Sequence, residues 1–210
     1  MRSLLLLPLA TLIAGCATAT PPAQVTRFHR LDVATITAPT AFYIVAPDDQ
    51  VGGLEWTNYA SAVAAELERN GFTCALRSRV ACVLSPTSAL QPAPSHRVTV
   101  RFDRAAATSR SGGSGVGVGV GGSTGSYGSG VGVGVGVDLT RLLGGGGPDT
   151  ALRLAVRIDQ RDGTALWEGR AETLVRSRAP AAQPGLAAAR LAAALFAGFP
   201  GRSGETITVP

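Results

Sequence analysis

Alternating apolar and polar residues predict that much of this chain forms β-strands. In residues 97–103, valine and phenylalanine alternate with arginine, threonine and aspartate, so one face of the strand is apolar and the other is polar. The same pattern occurs at 152–158 and at 165–175. Between these runs lies the pair Asp162-Gly163, which favours a two-residue hairpin turn. Shorter β-branched or aromatic runs predict further strands at 31–37, 41–47, 72–76 and 81–84.

Two segments show the spacing of helices instead. Trp56, Tyr59, Val63 and Leu67 recur three or four residues apart and form one apolar stripe, which ends before the helix-stopping pair at 70–71. We interpret Trp56 and Tyr59 as core residues in preference to ligand contacts, because they lie on this stripe. The segment 185–199, GLAAARLAAALFAGF, is apolar on nearly all sides and predicts a well-buried helix.

These elements together predict an α+β fold, with an antiparallel sheet and two helices packed on one face. A single domain of this kind is expected to span residues 31–210. Residues 16–30 are expected to form the tether that precedes it, since the stretch ATATPPAQ at 17–24 is small and rich in proline.

The first residues indicate export. Arg2 precedes an apolar run at 4–13 that is short for a membrane span and suits a secretory signal. The sequence LIAGC at 12–16 resembles the lipobox of bacterial lipoproteins. That resemblance implies a signal peptide over residues 1–15, diacylglycerol on the sulfur of Cys16 and acylation of its new amine. An ordinary signal peptide is the alternative.

A lipoprotein anchor would place the domain at a membrane surface. Two or three acyl chains give a stable anchor. Residue 17 is alanine where the inner-membrane retention signal has aspartate, so we expect an outer-membrane lipoprotein that faces the periplasm. The membrane is then a partner through the lipid on Cys16.

A glycine-rich insertion occupies residues 111–147. Valine stands at every second position in 116–120 and 131–137, which is the strand period, and glycine fills the positions between. This predicts a Gly/Val-rich hairpin over residues 113–137 that turns near 123–127 with its valines inward. A flexible linker is the alternative. The G-x-G-x-x-G match in this tract is followed by no helical pattern, so we expect no nucleotide site.

Cysteine and charge exclude several chemistries. Besides Cys16 the chain has two cysteines, Cys74 and Cys82, which are predicted to form a disulfide in an oxidising compartment, with buried thiols as the alternative. Neither histidine lies at metal-ligand spacing from them, so no metal is expected. The 19 basic residues are all arginine, and the absence of lysine excludes phosphate-loop and Schiff-base chemistry. The arginines are scattered singly, so no nucleic acid is expected.

Taken together, the motifs resemble the bacterial lipoprotein family that carries domain of unknown function 4136. The similar pieces are the lipobox at Cys16, the helix ending LERNGF, the Gly/Val tract, the hairpin LRLAVRIDQRDGTALWEGRAE and the closing LFAGFPGRSG. The resemblance implies an α+β envelope domain without an assigned activity, catalytic residues or cofactor. The segment SHRVTVRFD and the cysteine pair depart from the family pattern.

Two functions follow as hypotheses. The first is a non-enzymatic binding or structural module, whose partner is an envelope protein or an anionic glycolipid. Its candidate ligand face is the polar side of the predicted strands, which carries Arg97, Arg101, Arg153, Arg157, Arg170 and Arg176. A solvated face laced with glutamate is the plainer interpretation. The second hypothesis is a periplasmic hydrolase, whose candidates show no acid–base spacing: His29, Asp32, Asp48, Asp49, Glu66, His96 and Asp103.

Overall fold

The computed structural model describes residues 21–30, 40–75, 82–83, 95–107 and 149–210. They form one seven-stranded sheet and two long helices: β1 (Ala23–His29), β2 (Thr40–Val45), α1 (Leu54–Arg69), β3 (Phe72–Cys74), β4 (His96–Ala107), β5 (Asp149–Gln160), β6 (Ala165–Arg176), α2 (Pro184–Phe196) and β7 (Thr206–Val209). The order in the sheet is β3–β2–β4–β5–β6–β1–β7. The predicted α+β class is confirmed. Within the described ranges, no helix is long and apolar enough to cross a membrane.

The prediction of a purely antiparallel sheet is wrong, because β2 runs parallel to both of its neighbours. Phe42 of β2 lies opposite Cys74 of β3 and opposite His96 of β4. Between β2 and β3, α1 forms a helical crossover, and a crossover of this kind returns the chain in the same direction. The other neighbouring pairs are antiparallel. Apolar alternation shows which face of a strand is buried but not which way the strand runs.

The helices cover one face of the sheet, here called the inner face. It carries the apolar residues that the alternation predicted, including Val98, Val100, Phe102, Leu152, Leu154, Val156 and Ile158. Trp56 of α1 donates its indole N–H to the carbonyl of Val100 at 2.7 Å. The ring of Tyr59 stacks on Phe102 with centroids 3.6 Å apart. Both aromatic residues are therefore core residues, as predicted.

The predicted β5–β6 hairpin is confirmed, but the two-residue turn is wrong, because four residues, 161–164, connect the strands. Gly163 adopts φ 87° in the turn, a conformation that glycine reaches without strain. The carboxylate of Asp162 accepts a hydrogen bond from the backbone N–H of Thr164 at 2.8 Å, and this bond lowers the pKa of Asp162. Trp167 of the hairpin contacts α2, where its indole stacks on Phe196 with ring centroids 5.3 Å apart.

Two further predictions are wrong, one on the tether and one on a strand. Residues 23–29, assigned to the tether at 16–30, form β1 and lie between β6 and β7 in the sheet. The inward-facing Arg27 interrupts the apolar alternation of β1 and hides it in the sequence. Cys82 and Val83, predicted within a strand, have a helical backbone.

Other predictions fall outside the described residues. These are the signal peptide with Cys16, the strand at 31–37 with Asp32, and the glycine-rich insertion at 111–147.

Candidate binding face

The outer face of the sheet lies opposite the helices and carries the six arginines singled out in the sequence. Two are on β4, two on β5 and two on β6: Arg97, Arg101, Arg153, Arg157, Arg170 and Arg176. Each alternates with a buried residue of its strand, so the period of two directs all six away from the core. The structure therefore brings these sequence candidates onto one face.

Four charged side chains form a continuous line across this face. Asp159 accepts hydrogen bonds from Arg97 at 3.2 Å and from Arg157 at 2.6 Å. Arg157 also contacts Glu168 at 3.1 Å. The strand register causes this arrangement, because Arg97 lies opposite Asp159 and Arg157 lies opposite Glu168. The side chain of Asp159 is 1% exposed, so the two guanidinium groups cover it.

Further ion pairs surround this line. Arg153 contacts Glu172 at 2.8 Å, and Arg170 approaches the same carboxylate at 3.9 Å. Arg101 donates two hydrogen bonds to Asp49, at 2.9 and 3.0 Å. These hydrogen bonds lower the pKa of the exposed Asp49 carboxyl. Acidic side chains therefore pair with several arginines of the face, as the plainer interpretation expected.

The ion pairs do not use every N–H donor of the arginines. Arg153 and Arg170 keep 49% and 59% of their side chains exposed. A guanidinium carries five N–H donors, so one or two bonds to glutamate leave others for a ligand. Acids that lie among the arginines, including Asp159, Glu168 and Glu172, balance most of their charge. The face presents both signs of charge in a fixed pattern.

The structure does not bring the hydrolase candidates together. His29 lies on β1 and Asp103 on β4, three strand spacings or about 14 Å apart across the sheet. Glu66 is buried on α1 and pairs with Arg69. Asp48 and Asp49 lie in the short helical turn after β2. Among the described residues, no group of three or more His, Cys, Asp or Glu side chains could hold a metal.

Ser95 and His96 form a pair that sequence reasoning did not single out. The hydroxyl of Ser95 donates to the carbonyl of Ala41 at 2.9 Å. Its oxygen then accepts from the Nδ1–H of His96, also at 2.9 Å. A catalytic base needs the reverse arrangement, with the imidazole accepting the hydroxyl proton. Burial lowers the pKa of His96, which favours the neutral form of its ring.

Cys74 and Cys82 form a disulfide, with Cα atoms 5.9 Å apart. Cys74 ends the edge strand β3, and Cys82 is buried next to the carbonyl of Phe42. The bond ties the edge of the sheet to the segment that follows it. Its location at the core boundary indicates a structural role.

A buried arginine on β1, across the sheet from the disulfide, was not predicted from the sequence. Arg27 is 4% exposed and donates to the carbonyl of Ala194 near the end of α2 at 3.2 Å. Burial lowers the pKa of Arg27. The neighbouring His29 contacts the carbonyl of Gly201 at 3.1 Å. Both side chains hold the loop after α2, and only the tertiary structure shows that Arg27 points inward.

Comparison with known proteins adds two partial likenesses. No family model matches the chain. An uncharacterized protein of Zymomonas mobilis is 46% identical over 54 residues, which are 25% of this chain and 20% of that protein. A PDZ domain protein from Parabacteroides distasonis superimposes with a TM-score of 0.48 and 12% identity, over 90% of this chain and 39% of that one. This chain thus spans about a fifth and about two fifths of their lengths.

Proposed function

We propose that this protein is a non-enzymatic module of the bacterial envelope, anchored to the outer membrane through lipid on Cys16, whose outer face binds another envelope protein. The outer face is the observation that supports this most. It carries a fixed pattern of guanidinium and carboxylate groups, and the two helices lie on the opposite face of the sheet.

The pattern of charge favours a protein partner over a glycolipid. Glu168 and Glu172 lie within about 3 Å of Arg157 and Arg153, so a dense phosphate layer would meet negative charge beside each arginine. A protein surface can place carboxylates against the arginines and basic groups against the glutamates. An anionic glycolipid is therefore the competing outcome in the test of this face.

Site-specific photo-crosslinking in intact cells tests the binding face. A crosslinker at residue 170 should capture one discrete protein partner, and the double variant Arg153→Glu/Arg157→Glu should abolish that product. A crosslinker at residue 202 is the control, since its side chain is 86% exposed and lies off the face. Equal products from both positions, or capture of glycolipid alone from residue 170, would contradict the proposal.

The lipid anchor has its own test. Mass spectrometry of the mature N-terminal peptide should find acyl chains on Cys16. Cys16→Ala should leave the protein unprocessed and without lipid. A mature chain that begins at another residue, or that carries an unmodified Cys16, would exclude the anchor.

We also propose that residues 113–137 form the Gly/Val-rich hairpin. Ala107 of β4 lies opposite Asp149 of β5, so the insertion starts and ends on neighbouring strands. Valine stands at every second position in 116–120 and again in 131–137, which is the strand period. All the valines of each half can therefore lie on one side of the hairpin.

Amide hydrogen exchange tests this hairpin. Slow exchange at the valines of both halves is the expected result, with faster exchange at 123–127. Exchange throughout 113–137 as fast as in a free peptide would mean a flexible linker.

A further inference from the structure

One end of the domain combines exposed apolar side chains with the origin of the tether. Ala23 of β1 lies opposite Thr173, Thr173 opposite Leu152, and Leu152 opposite Arg104, so these four residues form one row across the sheet. The chain that comes from Cys16 therefore enters at this end, where β4 also continues past Arg104 to Ala107 and the insertion begins. The far end of β1, at His29, is six residues or about 20 Å away.

The start of both helices lies at the same end. Arg104 donates to the carboxylate of Glu55 at 2.7 Å and to the carbonyl of Ala182 at 3.2 Å. Glu55 is in the first turn of α1, and Ala182 comes two residues before α2. One arginine thus holds the beginnings of the two helices next to each other.

Three large apolar side chains are exposed at this end, which we call the apolar end. Val51 is 71% exposed, Leu54 is 87% exposed and Leu186 is 54% exposed. Among the described residues, Phe28 is the one other large apolar side chain with such exposure. Several exposed apolar side chains at one end of a domain mark an interaction surface more than single scattered residues do.

The tether is fixed beside this cluster. The guanidinium of Arg190 donates to the carbonyl of Pro21, and the hydroxyl of Thr173 donates to the carbonyl of Pro22 at 2.9 Å. Arg190 is four residues after Leu186 on α2, so the two side chains are neighbours on the helix surface. Residues 17–20 lie between Cys16 and Pro21, so five residue steps join the two. Five residues reach at most about 18 Å when fully extended.

Charged groups at the apolar end suit a phospholipid surface. Arg176 and Arg178 are exposed at the end of β6, and Asp149 lies opposite Arg176 in the strand register. The acids Asp49 and Glu55 are bound by arginines, and Asp48 is exposed as well. Apolar side chains flanked by arginine are the composition that binds at the level of lipid headgroups.

We propose that the apolar end lies against the membrane, with Val51, Leu54 and Leu186 inserted at the headgroup level. This inference rests on the proposed lipid anchor at Cys16, because the short tether brings this end within reach of the bilayer. The outer face then stands along the membrane normal and remains open to a partner protein.

Depth measurement with nitroxide labels tests the inference. The chain has three cysteines. Lipid blocks Cys16, and the disulfide blocks Cys74 and Cys82, so an introduced cysteine is the free thiol of the lipidated protein. Labels are placed by Leu54→Cys or Leu186→Cys, with Arg202→Cys as the control at the far end. The lipidated protein is reconstituted into vesicles of phosphatidylethanolamine and phosphatidylglycerol.

The labels at 54 and 186 should collide readily with oxygen and seldom with a water-soluble nickel complex. The label at 202 should show the opposite preference. If all three labels prefer the nickel complex although the N-terminal peptide carries its acyl chains, the membrane contact is wrong and the lipid anchor stands. If the acyl chains are missing, the anchor fails and the contact fails with it. Labels at 54 and 186 that are shielded from both reagents would place a protein surface there and overturn the inference.

Discussion

The indole of Trp167 lies directly over Gly169, two residues along the same face of β6. A Cβ atom at residue 169 would lie 2.2 Å from the indole carbon Cη2 and 2.8 Å from a methyl group of Leu195. The indole cannot easily move away, because it is fully buried and donates to the carbonyl of Pro200 at 3.1 Å. Glycine at 169 is therefore the residue that lets β6 pack closely under α2.

Gly169→Ala should destabilise the protein by about 1–3 kcal/mol, since the added methyl group overpacks a dense core. The change is measured as a lower urea midpoint with an unchanged slope. Gly185→Ala is the matched control, because a Cβ there meets nothing within 4 Å. Equal midpoints for the two variants would contradict the close packing at Trp167.

Gly201→Ala should cost more stability than Gly204→Ala. Both glycines have positive φ values, 81° and 82°. Alanine should therefore lower the free energy of unfolding by a similar amount at either position, about 1–2 kcal/mol, through backbone strain. Only at residue 201 would the new Cβ also meet a side chain, at 2.5 and 2.9 Å from atoms of the buried Arg27. The difference between the two urea midpoints isolates the contact with Arg27. A Gly204→Ala variant that is the less stable of the two would show that Arg27 does not hold this loop.

Asp159→Asn should destabilise the sheet by about 2 kcal/mol, the range of a lost hydrogen bond to a charged group. The substitution removes the negative charge between Arg97 and Arg157 and leaves the two guanidinium groups facing each other. Glu168→Gln is the control on the same face. Its side chain is 47% exposed, so its loss should stay below about 1 kcal/mol. Similar losses for both variants would argue against a special role for the buried carboxylate.

Sequence patterns predicted the elements of this fold better than their arrangement. Alternation around Val98 and helical spacing around Tyr59 identify buried faces, because burial imposes those periods. The parallel direction of β2 follows from the crossover through α1, which no local pattern encodes. The pairing of Arg97 with Asp159 joins residues far apart in the chain and depends on the strand register. β1 was missed because the inward-facing Arg27 interrupts its apolar alternation, so the segment was assigned to the tether.

His96 should make stability depend on pH. Burial lowers its pKa in the folded protein below the ordinary value of 6.5, so the unfolded chain binds a proton first as the pH falls. Stability from this group is therefore complete above about pH 6.5 and declines as the pH falls from there towards the lower folded pKa. Urea midpoints at pH 8 and pH 5.5 measure the decline. His96→Gln should show a smaller decline than the unaltered protein, and an equal decline in both would assign the effect to other groups.

Reduction of the disulfide should lower the stability by about 2–3 kcal/mol. Cys74 and Cys82 are separated by 8 positions, and in the chain-entropy model closing a loop of that length restricts the unfolded state by this amount. The expected change in the thermal midpoint is about 2–4 °C per kcal/mol for a domain of this size. The double variant Cys74→Ala/Cys82→Ala is the control, since it should unfold at the same temperature with and without reductant. An equal response of the variant and the unaltered protein to reductant would mean that the bond does not contribute to the fold.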